Sequence, residues 1–269
     1  MAEMQAVSGR ERIAAAFTGG TALMPYLMGG FPTIADSLEV TRVYAQYADL
    51  VEIGVPFSDP LADGPAIQAA GQRALANGAT FERVLDGVAA PLVEEVPAVV
   101  MCYANQLLTR GPRRAVDALA ARGVSGLIVP DMPAVEADEL RAMCDAAGVA
   151  LVPLVAPTTP PAEVRRIAAS ARGFVYVVSV TGVTGERAAL PPALDEVVQR
   201  AREAADVPIA VGFGVGTPEQ AAAVGEIADG VIIGSRLVRA VAEAPDLEGG
   251  LQDIRAFLSD TVRALGPKG

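Results

Sequence analysis

Three acidic side chains stand close together where a short apolar run enters a loop rich in proline and glycine. Residues 51–68, VEIGVPFSDPLADGPAIQ, carry Glu52 in the apolar part and Asp59 and Asp63 in the loop. If Leu50–Val55 is a strand of a parallel barrel, its β-branched side chains pack on helices and the alternate face, with Glu52, lines the interior. Burial there should raise the pKa of Glu52 toward neutrality, as a group that both gives and takes a proton requires.

Each of these acids also has an ordinary structural interpretation. A buried Glu is as often neutralised by an ion pair as used in chemistry. Asp59 and Asp63 lie in a Pro/Gly loop, where aspartate is commonly a turn or cap residue. The residues alone therefore leave the catalytic and the structural interpretations open.

The elements that must position these acids alternate between strand-like and helical patterns. The strand-like runs number eight: Leu23–Met28, Leu50–Val55, Ala98–Tyr103, Gly126–Val129, Ala150–Val155, Phe174–Val178, Pro208–Gly212 and Gly230–Ile233. The helical patterns between them include Asp36–Tyr47, Arg113–Ala121, Ala134–Ala146, Ala162–Ala171, Pro192–Ala204 and Glu219–Ile227. Pro65 is also expected to open an Ala-rich helix.

This alternation predicts parallel strands with right-handed crossovers. The expected fold is a single α/β domain over residues 1–269, a (β/α)8 TIM barrel with an extra N-terminal helix near Glu11–Phe17 on the barrel floor. A doubly wound sheet remains an alternative, although no GxGxxG opens a first βα unit.

Composition excludes several classes of function. The net charge is −11 with no basic cluster, which argues against binding nucleic acid or an anionic membrane surface. The chain has no histidine, so His-based triads and His metal ligands are excluded, and no metal site is expected. No signal peptide or run of about 18 apolar residues is visible, which predicts a cytoplasmic protein. Cys102 and Cys144 lack metal-ligand spacing and are expected to be buried thiols.

Three late segments suggest a phosphate site. Glycines follow the sixth, seventh and eighth predicted strands, in the segments 182–185, 212–214 and 234–235. A barrel commonly binds phosphate with the loops after strands seven and eight and a helix N-terminus, where glycine lets backbone N–H groups approach the oxygens. Any one of these glycines alone is more often just a turn residue.

Apolar and aromatic residues of the other strands are expected to face inward. They could line a pocket for a flat aromatic ligand: Tyr26, Met101, Tyr103, Leu127, Leu154 and Tyr176. Most inward apolar residues of a barrel are simply core, however, and the pattern does not name a ligand.

Residues 52–65, EIGVPFSDPLADGP, resemble the signature of the tryptophan synthase alpha subunit family almost without a break, and the resemblance extends over most of the chain. It implies a carbon–carbon lyase of tryptophan biosynthesis. The reaction is retro-aldol cleavage of indole-3-glycerol phosphate to indole and glyceraldehyde 3-phosphate. The indole passes to a tryptophan synthase beta subunit, in an alpha2beta2 hetero-tetramer.

The resemblance also implies roles for individual residues. Glu52 and Asp63 would be catalytic, with Tyr176 beside Glu52. The remaining roles are these: phosphate binding by Gly185, Phe213, Gly214, Gly234 and Ser235, the indole pocket from Tyr26, Met101, Leu127 and Leu154, a lid residue in Thr184, and partner contacts at Pro56 and Asp59. No cofactor is expected in this chain, because the indole ring stores the electrons of the broken bond, and pyridoxal phosphate (PLP) would belong to the beta partner.

Two departures from the family pattern affect its loops. Phe31 stands where the family often has an aspartate, and Val180 where an arginine is often found in the lid. Two alternatives stay open beside the two-component enzyme: a free-standing indole-3-glycerol phosphate lyase, and a non-catalytic activator of the beta subunit. The intact pair Glu52 and Asp63 argues against the activator.

Overall fold

The computed structural model of the chain describes residues 7–178, 192–212 and 214–267. Nine strands lie in these ranges, and each pairs in parallel with its neighbours. They are β1 Ala22–Met28, β2 Val51–Gly54, β3 Ala98–Met101, β4 Gly126–Ile128, β5 Ala150–Val152, β6 Leu154–Val155, β7 Val175–Val178, β8 Ile209–Gly212 and β9 Gly230–Ile233.

The strand order closes the sheet into a barrel. The order is β5-β4-β3-β2-β1-β9-β8-β7-β6, and the two strands at its ends are consecutive in the chain, with only Pro153 between them. Proline has no N–H to donate to a ladder, so it divides one strand into two short ones. The carbonyl of Pro153 still accepts a hydrogen bond from the backbone N–H of Tyr176 at 3.0 Å. β5 and β6 together form one barrel strand, and the predicted (β/α)8 barrel is confirmed.

Helices surround this barrel. They are α1 Gly9–Ala16, α2 Ile34–Tyr44, α3 Pro65–Ala76, α4 Phe81–Val84, α5 Ala90–Leu92, α6 Ala104–Arg110, α7 Pro112–Ala120, α8 Asp138–Ala147, α9 Pro161–Ala169, α10 Pro192–Arg202, α11 Pro218–Gly225, α12 Ser235–Glu243 and α13 Leu247–Leu265. A π-helical segment, Leu85–Ala89, joins α4 to α5, and a 3-10 turn, Ala134–Glu136, precedes α8. Each helix predicted between strands is present with its ends shifted by a few residues. The sequence patterns did not include α4, α5, α6, α12 or α13.

The two faces of the strands build two separate apolar clusters. The outer cluster lies between the sheet and the helices and contains most of the β-branched strand residues. The inner cluster fills the barrel and consists of Ile13, Ala22, Met24, Leu50, Val99, Ile128, Ala150, Val152, Phe174, Ala210 and Ile232. Both clusters consist of buried residues, which makes the barrel a packed core and leaves its open end for chemistry.

Helix α1 closes the opposite end of the barrel, as predicted. Ile13 belongs to the inner cluster, and its side chain lies beside Gly126 and Gly173 at the starts of two strands. The backbone N–H of Gly9 donates to Gly148 O at 2.9 Å, and a Cβ at Gly9 would lie only 2.3 Å from Ser125 O. The contact of α1 with the barrel floor therefore depends on a glycine at position 9.

Cys102 and Cys144 are free, buried thiols, as predicted. Within the described ranges, no helix has both the length and the apolar character needed to cross a membrane.

Candidate active site

Glu52 lies on β2 with its side chain on the inner face of the barrel. Its register partners on the two neighbouring strands are Tyr26 and Val99, and Val99 belongs to the inner cluster. The adjacent residues Val51 and Ile53 lie in the outer cluster, in agreement with strand alternation. Glu52 is only 1% exposed, so its carboxyl group is removed from bulk water.

Burial, together with the smaller effect of the nearby charge of Asp63, raises the pKa of Glu52 from 4.5 to about 8. Its Oε2 atom has no hydrogen-bond partner among the described residues. An unpaired buried carboxylate is costly, so the group holds a proton at neutral pH. Among the described residues no cation is paired with Glu52, so this part of the structure gives no support to the ion-pair interpretation.

A second strand of the barrel carries an apolar residue at the position equivalent to Glu52. Residues 48–54, ADLVEIG, and residues 228–234, ADGVIIG, share five of seven residue types in order. The two segments flank β1 on either side, and the aspartate of each accepts a backbone N–H of an adjacent strand at 2.8 Å. Ile232 takes the place of Glu52 and packs in the inner cluster. This short repeat was missed in the sequence patterns.

Asp63 is held at the mouth of the barrel by the loop between β2 and α3. Gln68, one turn into α3, donates from Nε2 to the carbonyl of Asp63 at 2.8 Å and to that of Pro60 at 3.3 Å. Gly64 is the N-cap and Pro65 occupies the first turn, which fixes the start of the helix. Partial burial raises the pKa of Asp63 to about 6, and a hydrogen bond from the Tyr103 hydroxyl acts in the opposite direction.

Tyr103 ties this loop to the barrel. Its Oη accepts the backbone N–H of Ala62 at 3.0 Å, and its ring stacks on Phe57 with centroids 5.0 Å apart. Buried Gln106 links the same parts, since it accepts the N–H of Tyr103 at 3.0 Å and donates to Pro56 O at 3.0 Å. Neither glutamine was singled out from the sequence, because a lone Gln on a helix carries no pattern.

Two tyrosines at the open end of the barrel lie over glycines of adjacent strands. A Cβ at Gly54 would be 2.1 Å from the Tyr26 hydroxyl, and one at Gly212 would be 2.4 Å from the Tyr176 hydroxyl. Only glycine leaves room for these rings, which explains both positions without any appeal to backbone angles. Burial raises the pKa values of both hydroxyls well above the ordinary range, and the nearby charges of Glu52 and Asp63 act in the same direction.

The remaining predicted pocket residues divide into two groups. Met101 and Leu154 pack partly buried against the inner cluster. Leu127 does not, and its prediction as an inward residue is wrong: it is fully buried in the outer cluster. The neighbouring residue Ile128 faces the interior instead, because the short strand β4 alternates in the other phase.

The predicted phosphate-binding residues Gly234 and Ser235 lie where β9 is followed by α12. Gly234 is the N-cap of α12 and offers no side-chain acceptor, so the first-turn N–H groups are not capped by a side chain. Ser235 is the first residue of the helix. The cation beside it, Arg236, is engaged by Asp253 in two hydrogen bonds of 2.8 and 2.7 Å. Gly214 has φ +35° and open space where a Cβ would stand.

The other predicted site residues fall into two groups. Gly185, Thr184 and Phe213 lie outside the described residues, as does the predicted lid segment 181–190. Asp59 is exposed. The predicted partner contact at Pro56 needs correction, because Pro56 is buried and its carbonyl accepts a hydrogen bond from Gln106. Its side chain is therefore not a free surface for a partner.

The fold and site define a class of protein: a (β/α)8-barrel enzyme with two carboxyl groups at its mouth and a helix N-terminus that no side chain caps. A family model described as tryptophan synthase alpha chain matches residues 14–264. The chain belongs to the tryptophan synthase alpha chain family, a family of carbon–carbon lyases. The family resemblance and the lyase class predicted from the sequence are thereby confirmed.

Individual relatives cover nearly the whole chain. A tryptophan synthase alpha chain of Prochlorococcus marinus is 48% identical over 256 residues, which cover 92% of this chain and 91% of that protein. Among solved structures, tryptophan synthase of Mycobacterium tuberculosis has a TM-score of 0.85 at 34% identity and covers 94% of this chain and 98% of that one. Tryptophan synthase subunit alpha from Legionella pneumophila has a TM-score of 0.86 at 31% identity, with coverage of 97% and 99%.

Proposed function

We propose that this chain cleaves indole-3-glycerol phosphate into indole and glyceraldehyde 3-phosphate, with Glu52 as the acid–base group and Asp63 as the fixed negative charge. One observation carries the proposal: two carboxyl groups share the barrel mouth with pKa values of about 8 and about 6. Two carboxyl groups whose environments separate their pKa values divide the acid and the anionic roles between them.

The reaction requires two proton transfers that one carboxyl group can perform in turn. Glu52, protonated at neutral pH, gives its proton to carbon 3 of the indole ring. The resulting carboxylate takes the proton of the hydroxyl on the adjacent side-chain carbon. The carbon–carbon bond then breaks, its electrons return to the ring, an aldehyde forms, and Glu52 ends protonated as it began.

Asp63 supports the same steps without exchanging a proton. When carbon 3 is protonated, positive charge develops on the ring nitrogen. An ionised carboxylate that accepts the ring N–H stabilises this charge in the transition state more than in the ground state. Tyr103 and Gln68 hold Asp63 and its loop in place for this role.

The phosphate and the ring are proposed to occupy opposite ends of the mouth. The N–H groups around Gly234 and Ser235, with Gly214 nearby, bind the phosphate oxygens, so an acidic protein needs no free cation there. Tyr176, Met101 and Leu154 contact the indole ring. The ring itself accepts and returns the electron pair, and the proposed steps involve no cofactor.

The partner proposed for this chain is a tryptophan synthase beta subunit, in an alpha2beta2 assembly. Large apolar side chains are exposed after three consecutive strands: Leu61 after β2, Leu108 after β3 and Val135 in the 3-10 turn after β4. Because the carboxyl ends of parallel strands meet at one end of a barrel, these side chains lie on the same face as the active site. An apolar face around the mouth suits a partner that receives indole.

The replacement Leu61→Ser tests this docking face. Leu61 is 93% exposed, so the change should leave folding and indole release by the isolated chain unaffected while it weakens activation by the beta subunit. Titration of the chain with the beta subunit, followed by indole release, measures the effect. The matched control is Val7→Ser, an exposed apolar residue before α1 at the floor. Equal activation of both variants would exclude Leu61 from the interface.

The two pKa values predict a bell-shaped pH profile for kcat/KM, with an acid limb near pH 6 and an alkaline limb near pH 8. Below about pH 6 Asp63 loses its negative charge, and above about pH 8 Glu52 loses its proton. In Tyr103→Phe the hydrogen bond that lowers the pKa of Asp63 is removed, so the acid limb should move to higher pH. A limb that stays in place would show that Tyr103 does not hold the charge of Asp63.

The function itself is tested by indole release from indole-3-glycerol phosphate, with the purified chain alone and with a beta subunit added. Slow release that rises sharply with the partner supports the two-component enzyme. Fast release that ignores the partner supports a free-standing lyase. No release under either condition would refute the proposed reaction.

A further inference from the structure

The hydroxyl group of Tyr26 is unsatisfied in a buried position. Tyr26 is 3% exposed, and its Oη has no hydrogen-bond partner among the described residues. A buried hydroxyl without a partner costs stability, whereas phenylalanine would fill the same space without that cost. A nearby tyrosine shows the usual arrangement, since Tyr44 Oη on the outer side of β1 donates to the backbone carbonyl of Tyr26 at 3.1 Å.

The position of Tyr26 connects the two ends of the proposed site. β1 lies between β9 and β2 in the sheet, so it separates the phosphate end from the acid end. At the base of the ring, a Cβ on Gly234 would lie 3.5 Å from Tyr26 Cδ1, whereas the hydroxyl reaches Gly54 on β2. Tyr26 is also the register partner of Glu52. The ring thus spans from the N-terminus of α12 to β2, the strand that carries Glu52.

A substrate with phosphate at one end and indole at the other must pass its three-carbon chain over this strand. That chain carries two hydroxyl groups, which are the polar groups that a buried phenol can bind. Burial raises the pKa of Tyr26 well above its ordinary range, so the hydroxyl stays protonated and can donate. On the adjacent strand, the register partner Glu52 also has a buried oxygen, Oε2, without a hydrogen-bond partner among the described residues.

We infer that Tyr26 is a substrate-binding residue whose hydroxyl donates a hydrogen bond to a hydroxyl group of the glycerol chain, in addition to any contact that its ring makes with the indole. The inference rests on the proposed function. Tyr26 thereby distinguishes a dihydroxylated side chain from one that carries only the phosphate, because a site built around a substrate hydroxyl disfavours a ligand that lacks it.

The test compares Tyr26→Phe with Tyr44→Phe, since each removes one buried phenolic oxygen from neighbouring positions on opposite sides of β1. Two quantities are measured for each variant: kcat/KM for indole-3-glycerol phosphate, and the calorimetric Kd of an analogue with phosphate on an unhydroxylated three-carbon chain. In Tyr26→Phe, kcat/KM should fall about tenfold or more while the Kd of the analogue stays within about twofold. Tyr44→Phe should leave both quantities within about twofold.

Other results overturn the inference. Equal losses for substrate and analogue in Tyr26→Phe would make the residue a structural part of the pocket, and no loss for either would remove its hydroxyl from the site. If the wild-type chain releases no indole, the proposed reaction is refuted, but the hydroxyl contact can still be tested. The Kd of indole-3-glycerol phosphate, the dihydroxylated compound, is then measured in place of kcat/KM. A weakening confined to that compound then supports the hydroxyl contact, and any other pattern, including binding of neither ligand, refutes it.

Discussion

Glu52→Gln is expected to abolish indole release while the substrate still binds. The amide fills the same volume on the inner face of β2 but can neither give a proton to carbon 3 nor take one from the side-chain hydroxyl. Loss of a group that serves both steps should lower kcat by about a thousandfold or more, with Kd changed by no more than a few-fold.

The measurement combines steady-state indole release with calorimetric binding of the substrate. Glu226→Gln is the matched control, because Glu226 is exposed at the end of α11 and the substitution makes the same change from carboxyl group to amide far from the proposed chemistry. Normal turnover by Glu52→Gln would remove Glu52 from the mechanism, whatever the state of Asp63.

The same residue should reduce the stability of the folded chain. Its pKa is 4.5 in ordinary surroundings and about 8 in the barrel, so the folded state retains a proton that the unfolded chain releases between these pH values. Any stability linked to this proton is fully present below pH 4.5 and is lost as the pH rises through 8. Glu52→Ile should therefore raise the free energy of unfolding relative to the wild type, by on the order of 3 to 5 kcal/mol at pH 9 and by less at pH 5. Denaturant unfolding at the two pH values measures this difference.

The repeat 228–234 gives a physical reason to expect that isoleucine fits. Ile232 occupies the equivalent register in β9 and packs in the inner cluster. If Glu52→Ile were less stable than the wild type at pH 9, the ionised Glu52 carboxyl group would have stabilising partners other than those described. Its raised pKa could then not be the basis of the proposed proton transfer.

Strand periodicity predicted the barrel and the orientation of Glu52 because both follow from local sequence. A run such as Leu50–Val55 specifies alternating faces by itself, and eight such runs specify the fold class. The position of α1 was also predicted, as an extra helix before the first strand on the barrel floor. The resemblance at residues 52–65 then supplied the reaction, which no periodicity contains.

Features that depend on tertiary packing were not predictable. The phase of a three-residue strand such as β4 cannot be read locally, which is why Leu127 was placed inside instead of Ile128. Helix α13 begins with two glycines in its first turn, which weakens its helical pattern. In the structure Gly250 permits a close approach to Ala240, since a Cβ there would lie 3.0 Å from its carbonyl oxygen. The hydrogen bonds of Gln68 and Gln106 that hold the loop were also missed, because no sequence pattern links these glutamines to their partners.

Asp63→Asn is expected to lower kcat by about a hundredfold to a thousandfold with little change in KM. Asparagine keeps an oxygen that can accept the ring N–H, and the hydrogen bond in the ground state is largely retained. The charge that stabilises the developing cation is lost, so the effect appears in the transition state. Asp206→Asn, an exposed residue before β8 at the far end of the barrel, is the charge-matched control.

The pH profile of this variant distinguishes a catalytic charge from a structural one. The acid limb near pH 6 should disappear, because the group that titrates there is gone. The charge of Asp63 also raises the pKa of Glu52, so the alkaline limb should move below pH 8 in the variant. A general loss of folding would lower activity at every pH without moving either limb. A full rate with an unchanged profile would show that the negative charge at the mouth of the barrel comes from a residue other than Asp63.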